Sequence, residues 1–364
     1  MRLGVTTAVL AAGVLALSAC SSSSSGSNSA GGASGTAGGS GGHGAFSACL
    51  IISATGIADH SFNQQAWGAL TQAKSKLGIN IKYLAQSGST DYSTLGAQFV
   101  QQGCSMIIGV GFNTQTTINT LAPQNPNIKF ALIDSTLSTK ASNATSLTYQ
   151  TDQAGFLGGY LAAGLTKSGT VGVYGNEAIP PVELYMTGYV YGVQYYNKVK
   201  GKTVKVIGWD PVKKTGQFVG SFTDVNKGKL ITQAEIQQGA DVIFPVAGPI
   251  DAGTATAIRA VGGPSKGYYM LWVDSDGCLS NPGDCDVIVS TVQKNIQTSL
   301  YDVVTKTVTG SFPTGSYLGT LNNGGVGLAP YHKLASDVPS ALQTEITQLK
   351  TDVASGKVKV TAQG

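Results

Sequence analysis

The sequence holds few side chains whose types and spacing could support catalysis. Its three histidines are His43, His60 and His332, and none stands in a recognisable nucleophile context. The chain contains no Gly-x4-Gly-Lys-Ser/Thr loop for phosphates, no His-Glu-x-x-His zinc motif and no Cys-x-x-Cys pair. We therefore expect no catalytic residue, no metal site and no cofactor, and we interpret the chain as a binding protein. An unrecognised hydrolase is the alternative from the enzyme class.

Polar side chains instead collect where apolar runs end. Asp59 lies in a polar loop after the first run, Asp134 ends the run that starts at Lys129, and Asp274 and Asp276 follow a later one. In parallel α/β proteins, the carboxyl ends of the strands form the crevice that binds small molecules. Four aspartates converging there disfavour an anionic ligand.

The charge composition excludes two classes of partner. Charged residues make up 12% of the 364 residues, about half the usual share. The formal net charge is +4, and only Arg2 and Arg259 among the 23 basic residues are arginines. Nucleic-acid binders usually carry clustered arginines, and tight phosphate sites rely on the arginine fork. We expect neither nucleic acid nor a phosphorylated compound as the partner.

The N-terminus predicts export and a lipid anchor. Arg2 precedes a short apolar run that ends in Leu17-Ser18-Ala19-Cys20, a pattern typical of a signal peptide and too short to span a membrane comfortably. The ending resembles the lipobox of bacterial lipoproteins, which implies cleavage before Cys20 and a lipid on its sulfur and amine. The alternative is an ordinary signal peptide with an incidental cysteine.

A flexible tether follows the predicted anchor. Residues 21–44 contain nine serines and nine glycines, a composition that reaches about 25–30 Å as a coil. We therefore assign 1–19 to the signal peptide and 20–44 to the lipidated cysteine and its tether. The folded part should lie outside the cytoplasm at the cell membrane.

The remaining cysteines suit an oxidising compartment. If Cys20 is lipidated, an even number is left. Cys49 and Cys104 each open an apolar run, so a bridge is plausible if these runs are neighbouring parallel strands. Cys278 and Cys285 flank a Pro-Gly loop that a local bridge could close. Free buried thiols are the alternative, and a metal site is disfavoured because no histidine lies near either pair.

From Ala45 onward, β-rich runs alternate with amphipathic stretches, which predicts α/β structure with parallel sheets. The predicted strands are 49–52, 79–84, 106–110, 129–134, 146–149, 170–174, 203–208, 242–246, 267–273 and 286–291. The predicted helices are 63–76, 95–102, 153–165, 181–198, 224–238, 252–261, 296–309 and 338–355. So many strands fit two stacked lobes with a ligand cleft between them.

We assign 45–150 to the first lobe, with about 277–320 returning to it. The second lobe takes 151–276 and part of about 321–364.

Two sequence blocks resemble the basic membrane protein family of lipoproteins. They are Asp59-His60-Ser61-Phe62-Asn63 and Val273-Asp274-Ser275-Asp276 followed by Lys294, and the resemblance runs from Cys49 nearly to the C-terminus. It implies a substrate-binding protein of an ABC importer, in many members specific for purine nucleosides. The implied fold is periplasmic-binding-protein type I, with two lobes that three crossovers join and that close on the ligand. The implied partners are a nucleoside and a permease, and we expect a monomer.

The resemblance also implies roles for individual residues. Trp67 and Tyr185 would form an aromatic clamp that holds the base between the lobes. Asp274 and Lys294 would bind the ribose, and Asp134 would accept hydrogen bonds from the base edge. The remaining positions would fix the base or organise its loop, and glycines would permit close approach of the backbone. The assigned ligand-binding residues are Asp59, Phe62, Asn63, Trp67, Asp134, Tyr185, Gly248, Asp274 and Lys294.

Each of these roles has a structural alternative. Trp67 and Tyr185 could be core residues, Asp134 could cap a helix, and Asp274 with Lys294 could be a plain ion pair. A sugar or signalling-molecule receptor on the same fold, and a surface antigen with a vestigial cleft, are the alternatives for the whole chain.

Overall fold

The computed structural model describes residues 44–361, so the predicted signal peptide, Cys20 and residues 21–43 of the tether lie outside the described residues. The strands are β1 (Ser47–Ile52), β2 (Asn80–Ala85), β3 (Met106–Val110), β4 (Lys129–Ile133), β5 (Ala144–Tyr149), β6 (Thr170–Gly175), β7 (Lys205–Ile207), β8 (Trp209–Asp210), β9 (Thr215–Gly216), β10 (Val242–Val246), β11 (Tyr269–Asp274), β12 (Ile288–Lys294), β13 (Gly315–Gly319) and β14 (Val326–Leu328). The helices are α1 (Phe62–Leu77), α2 (Tyr92–Gln101), α3 (Gln115–Gln124), α4 (Thr151–Leu165), α5 (Pro180–Lys200), α6 (Val225–Gln237), α7 (Asp251–Ala260), α8 (Gly277–Ser280), α9 (Ile296–Val308) and α10 (Ser340–Ala354).

The strands form two larger sheets, as the excess of strands over one simple sheet predicted. The first has the order β13-β5-β4-β3-β1-β2 and the second β14-β12-β11-β10-β6-β7. Within these two sheets all pairings are parallel except that of β14 with β12, and β8 and β9 form a separate antiparallel pair. The inner strands β3 and β10 are buried along their whole length, because helices cover both faces of such sheets.

The chain crosses between the sheets three times. It leaves the first sheet after β5, returns after β12 through α9, which packs on α1, and crosses again between β13 and β14. The last helix, α10, packs on α4 of the second lobe. The prediction that the return begins near residue 277 is wrong, because β12 pairs with β11 in the second sheet. The return begins at Ile296.

The structure contains both predicted disulfides. Cys49 in β1 joins Cys104 just before β3, and Cys278 in α8 joins Cys285. The strands β1 and β3 are neighbouring and parallel, which is the condition on which the first pairing was predicted. Within residues 44–361, no helix has the length and apolar composition that crossing a membrane requires.

Candidate functional site

A cleft lies at the carboxyl ends of the strands of both sheets. It contains about 720 Å³ of space that protein atoms do not fill, part of it open to solvent. The sequence-predicted residues that line it are Asp59, Phe62, Asp134, Tyr185, Gly248, Asp274 and Lys294. Other lining side chains, which the sequence analysis did not assign, are Ser53, Thr55, Tyr92, Phe112, Asn113, Asn176 and Phe222.

One end of the cleft holds a buried cluster of charges. The Lys294 ammonium lies 2.5 Å from a carboxylate oxygen of Asp134 in the first lobe and 3.6 Å from one of Asp274 in the second. Burial alone would lower the pKa of Lys294, but the two carboxylates outweigh it and raise that pKa above its usual value. One ammonium facing two carboxylates leaves an excess of negative charge. Such a cluster favours hydrogen-bond donors and disfavours anions.

Both aspartates of the cluster adopt a strained backbone. Asp134 has φ of 63° just after β4, and Asp274 has φ of 66° at the end of β11. Aspartate enters this left-handed region more readily than most residues, but the conformation still costs on the order of 1–3 kcal/mol. Strain at matching places in both lobes indicates that the positions of these carboxylates are functional.

Asp274 is fixed by neighbours from both lobes. One of its oxygens accepts a hydrogen bond from the Tyr185 hydroxyl at 3.0 Å, and the other accepts one from Ser61 Oγ at 3.1 Å. Tyr185 projects from α5, whose backbone approaches α4 so closely that a Cβ on Gly155 would lie 2.6 Å from the Tyr185 carbonyl oxygen. Since a carboxylate has about four lone-pair sites, Asp274 can still accept bonds from a ligand.

Of the two aromatic residues of α1 that were assigned to the site, Phe62 lines the cleft and Trp67 does not. The Phe62 ring lines the cleft, with Lys294 Nζ 5.0 Å from its centroid. Trp67 instead packs edge-on against Tyr83 of β2 at 5.2 Å. The two side chains are five residues apart, which places them about 140° apart around the helix. Trp67 is therefore a packing residue and not part of the cleft.

The second lobe contributes Tyr185 and a further ring, Phe222. The Tyr185 hydroxyl is bound to Asp274, and its ring centroid lies 5.0 Å from Lys294 Nζ, at the charged end of the cleft. Phe222 lines the cleft from the loop before α6. The chain before it is held to the end of β6, since Gly220 N–H donates to the Asn176 carbonyl at 2.6 Å. An aromatic residue just before a helix start was the only sequence signal for Phe222.

Asp59 and Asn63 organise the loop before α1. Asp59 caps the helix. Its carboxylate accepts hydrogen bonds from the backbone N–H groups of Ser61, Asn63 and Gln64. The Asn63 amide donates to Ser53 Oγ at 2.9 Å, to Thr55 Oγ1 at 2.8 Å and to the Gly56 carbonyl at 3.1 Å. Asn63 thus takes the loop-organising role left open by the sequence and does not line the cleft.

Gly248 lies at the cleft with its backbone open to it. It has φ of 64° and begins a 3₁₀ turn, and the nearest atom to a Cβ built there is Ser61 Oγ at 3.9 Å. A ligand can therefore approach this part of the backbone closely. Gly253, two turns further on, packs against the Val225 carbonyl instead, at 2.3 Å from an added Cβ.

The lobes also touch along the rim of the cleft. His60 Nδ1 lies 2.6 Å from the Ser280 carbonyl oxygen. Because that oxygen can only accept, Nδ1 carries the hydrogen and donates the bond. Ser275 Oγ donates to the His60 carbonyl at 2.6 Å. Asp276 beside this loop pairs with His332 Nε2 at 2.8 Å. The Cys278 sulfur near that pair belongs to a disulfide and cannot act as a thiolate ligand.

Comparison with known proteins agrees with this arrangement. Residues 46–363 match the family of ABC transporter substrate-binding proteins described as PnrA-like, or Bmp. The nucleoside-binding protein BmpA of a Lactococcus lactis ABC transporter is 30% identical, over 86% of this chain and 88% of its own. An uncharacterised lipoprotein of Pyrococcus abyssi is 28% identical over 76% of this chain and 67% of its own.

The predicted two-lobe fold is confirmed by a solved structure. An ABC transporter solute-binding protein from Aeropyrum pernix superposes with a TM-score of 0.77 at 24% identity, over 86% of this chain and 92% of that one. By the extent of the family match and by the similarity to BmpA, this chain belongs to the PnrA-like (Bmp) family of ABC transporter substrate-binding proteins.

Proposed function

We propose that this protein captures purine nucleosides outside the cytoplasm and delivers them to an ABC importer. The observation that carries the proposal is the cleft itself, in which a buried carboxylate–lysine cluster is joined by aromatic rings from both lobes. A nucleoside has matching parts, since its ribose diol can donate two O–H bonds and its base offers two flat faces. The similarity to a protein named as nucleoside-binding supports the same ligand class.

The ribose belongs at the charged end. Asp274 accepts hydrogen bonds from the two neighbouring hydroxyl groups, and Lys294 donates back to a ribose oxygen while keeping Asp134 as its counter-ion at 2.5 Å. The base then lies between Phe62 of the first lobe and Phe222 of the second, and each stack contributes on the order of 1–3 kcal/mol. Tyr185 positions Asp274 through its hydroxyl bond of 3.0 Å.

Charge favours a nucleoside over a nucleotide. Residues 44–361 contain one arginine, Arg259. Its side chain is bound to Asp284 and Asp286, away from the cleft. The cluster around Lys294 already contains more carboxylates than ammonium groups. A phosphate would meet repulsion there with no arginine fork to bind it.

Calorimetry on the full chain in detergent tests the ligand class. We expect heat of binding from inosine or guanosine and none from free ribose or D-allose, because a sugar lacks the base that the aromatic rings stack on. Binding of sugars but of no nucleoside would contradict the proposal and support the sugar-receptor alternative.

The proposal includes a lipid anchor at Cys20. The Leu17-Ser18-Ala19-Cys20 motif supports it, as does the naming of a relative as a lipoprotein. We expect Cys20→Ala to move the expressed protein out of the detergent phase in Triton X-114 partitioning, with Cys49→Ser as the control that should remain in it. A wild-type protein that partitions into the aqueous phase and carries no added lipid mass would contradict the anchor.

A further inference from the structure

Asn176 is a buried amide at the cleft that no sequence motif marked. It follows β6 directly, lines the cleft and is 8% exposed. Its backbone is held on both sides, because its N–H donates to the Val246 carbonyl at 3.1 Å and its carbonyl accepts from Gly220 N–H at 2.6 Å. The side chain is therefore presented from a rigid strand end.

The orientation of this amide follows from its one hydrogen bond. Asn176 Oδ1 accepts from the backbone N–H of Glu177 at 2.7 Å. Because a backbone N–H can only donate, the hydrogen bond assigns the oxygen to the side that faces Glu177. Within residues 44–361 this is the hydrogen bond of the Asn176 side chain, and its amide nitrogen makes none. Asn176 thus has two unused N–H donors, while its oxygen is already engaged by Glu177 N–H.

The spacing of the strands gives the distance between Asn176 and the charged end. Along the second sheet the order is β12-β11-β10-β6, and the strands end with Lys294, Asp274, Val246 and Gly175 at the same edge. Neighbouring strands lie about 4.8 Å apart, so the end of β6 is about 10 Å from Asp274. That span corresponds to a nucleoside from its ribose hydroxyls to the far edge of its base.

We propose that Asn176 binds the substituent at the six position of the purine and selects a carbonyl oxygen there. This inference rests on the proposed function, with the ribose at Asp274. The six position lies on the ring remote from the ribose, so it is the part of the base that reaches β6. A 6-oxopurine offers an acceptor to the Asn176 N–H group. The amino group of adenosine brings a donor against a donor, which leaves both without a partner.

The surroundings enclose this end of the cleft. Asn113 of the first lobe lines the same cleft as Asn176 of the second, so polar side chains from both lobes border it. A buried donor without an acceptor costs enough to weaken binding about 5- to 150-fold. We therefore expect the protein to prefer inosine over adenosine by a factor in that range.

The test measures dissociation constants for inosine and adenosine, which share the same ribose, on the full chain in detergent. Asn176→Asp keeps the oxygen that accepts from Glu177 N–H but replaces the donors with an acceptor, so the preference should shift towards adenosine. Asn176→Ala should weaken inosine binding and bring the two constants together. Asn226→Asp, which adds the same charge at an exposed position of α6, should leave the ratio unchanged.

The outcomes separate this inference from the function beneath it. A wild type that binds neither compound would overturn the proposed function and the role of Asn176 with it. A wild type that binds inosine and adenosine equally, or an Asn176→Asp variant that weakens both by the same factor, would overturn the role of Asn176 alone.

Discussion

The assignment of the ribose to Asp274 can be tested with Asp274→Ala and two ligands that differ only in the diol. Lys294 also pairs with Asp134, at 2.5 Å, so the substitution does not leave an unpaired ammonium. What the variant loses is the acceptor of two ribose O–H bonds. Hydrogen bonds to a charged group are each worth about 1.5–3 kcal/mol. The expected loss for inosine is therefore at least about 3 kcal/mol, or about 150-fold.

The comparison ligand is 2′,3′-dideoxyinosine, which keeps the base and has no diol to lose. Its affinity should change by less than about fivefold, and any general loosening of the cleft affects both ligands equally and cancels in their ratio. Ser61→Ala removes one of the two hydroxyls that hold Asp274, at 3.1 Å, without altering the charge, so it should weaken inosine binding less than Asp274→Ala does. Calorimetry supplies the constants, and thermal unfolding verifies that each variant is folded. Equal losses for the two ligands in Asp274→Ala would refute the ribose assignment.

Two further predictions concern the aromatic residues and a buried acid. Phe62→Ala should weaken nucleoside binding about 5- to 150-fold through loss of one stack. Trp67→Ala should lower the melting temperature, because it removes the ring that packs on Tyr83, and should leave the dissociation constant unchanged. The reverse pattern would show that Trp67, and not Phe62, contacts the ligand. Burial raises the pKa of Glu235 from 4.5 to about 8, so the unfolded chain releases this proton first, and the free energy of unfolding should fall by up to about 1.4 kcal/mol per pH unit between those values. Glu235→Gln should remove that slope in denaturant titrations at pH 5, 6.5 and 8, and an unchanged slope would show that Glu235 is already ionised in the fold.

The inner strands were predictable from the sequence, because burial on both faces of the sheet gives each of them a continuous apolar run. The strands β3 and β10, for example, were predicted with the bounds that the structure has. The helix α3 was missed because its segment is rich in Thr and Asn and contains Pro123, which weakens the local signal. The strand β13 is largely exposed and lacks an apolar run, and β14 has only three residues.

The candidate site was predictable where it depends on strand ends and not where it depends on helix faces. Asp134, Asp274 and Lys294 end or follow buried strands, and parallel topology alone brings such ends together. The choice between Phe62 and Trp67 depended on the direction in which α1 begins, which the sequence pattern does not determine. Asn176 depends on the order of strands within the second sheet, which is a non-local property.

Neither disulfide links one lobe to the other. Cys49–Cys104 lies within the first lobe and Cys278–Cys285 within the second. Covalent cross-linking therefore limits how far each lobe can unfold on its own, while the separation of the lobes is constrained only by the three crossovers. Under the proposed function, oxidising conditions outside the cytoplasm can form both bridges without linking the lobes to each other. Within residues 44–361, the side-chain contacts between the lobes are non-covalent, with the Lys294–Asp134 ion pair among them.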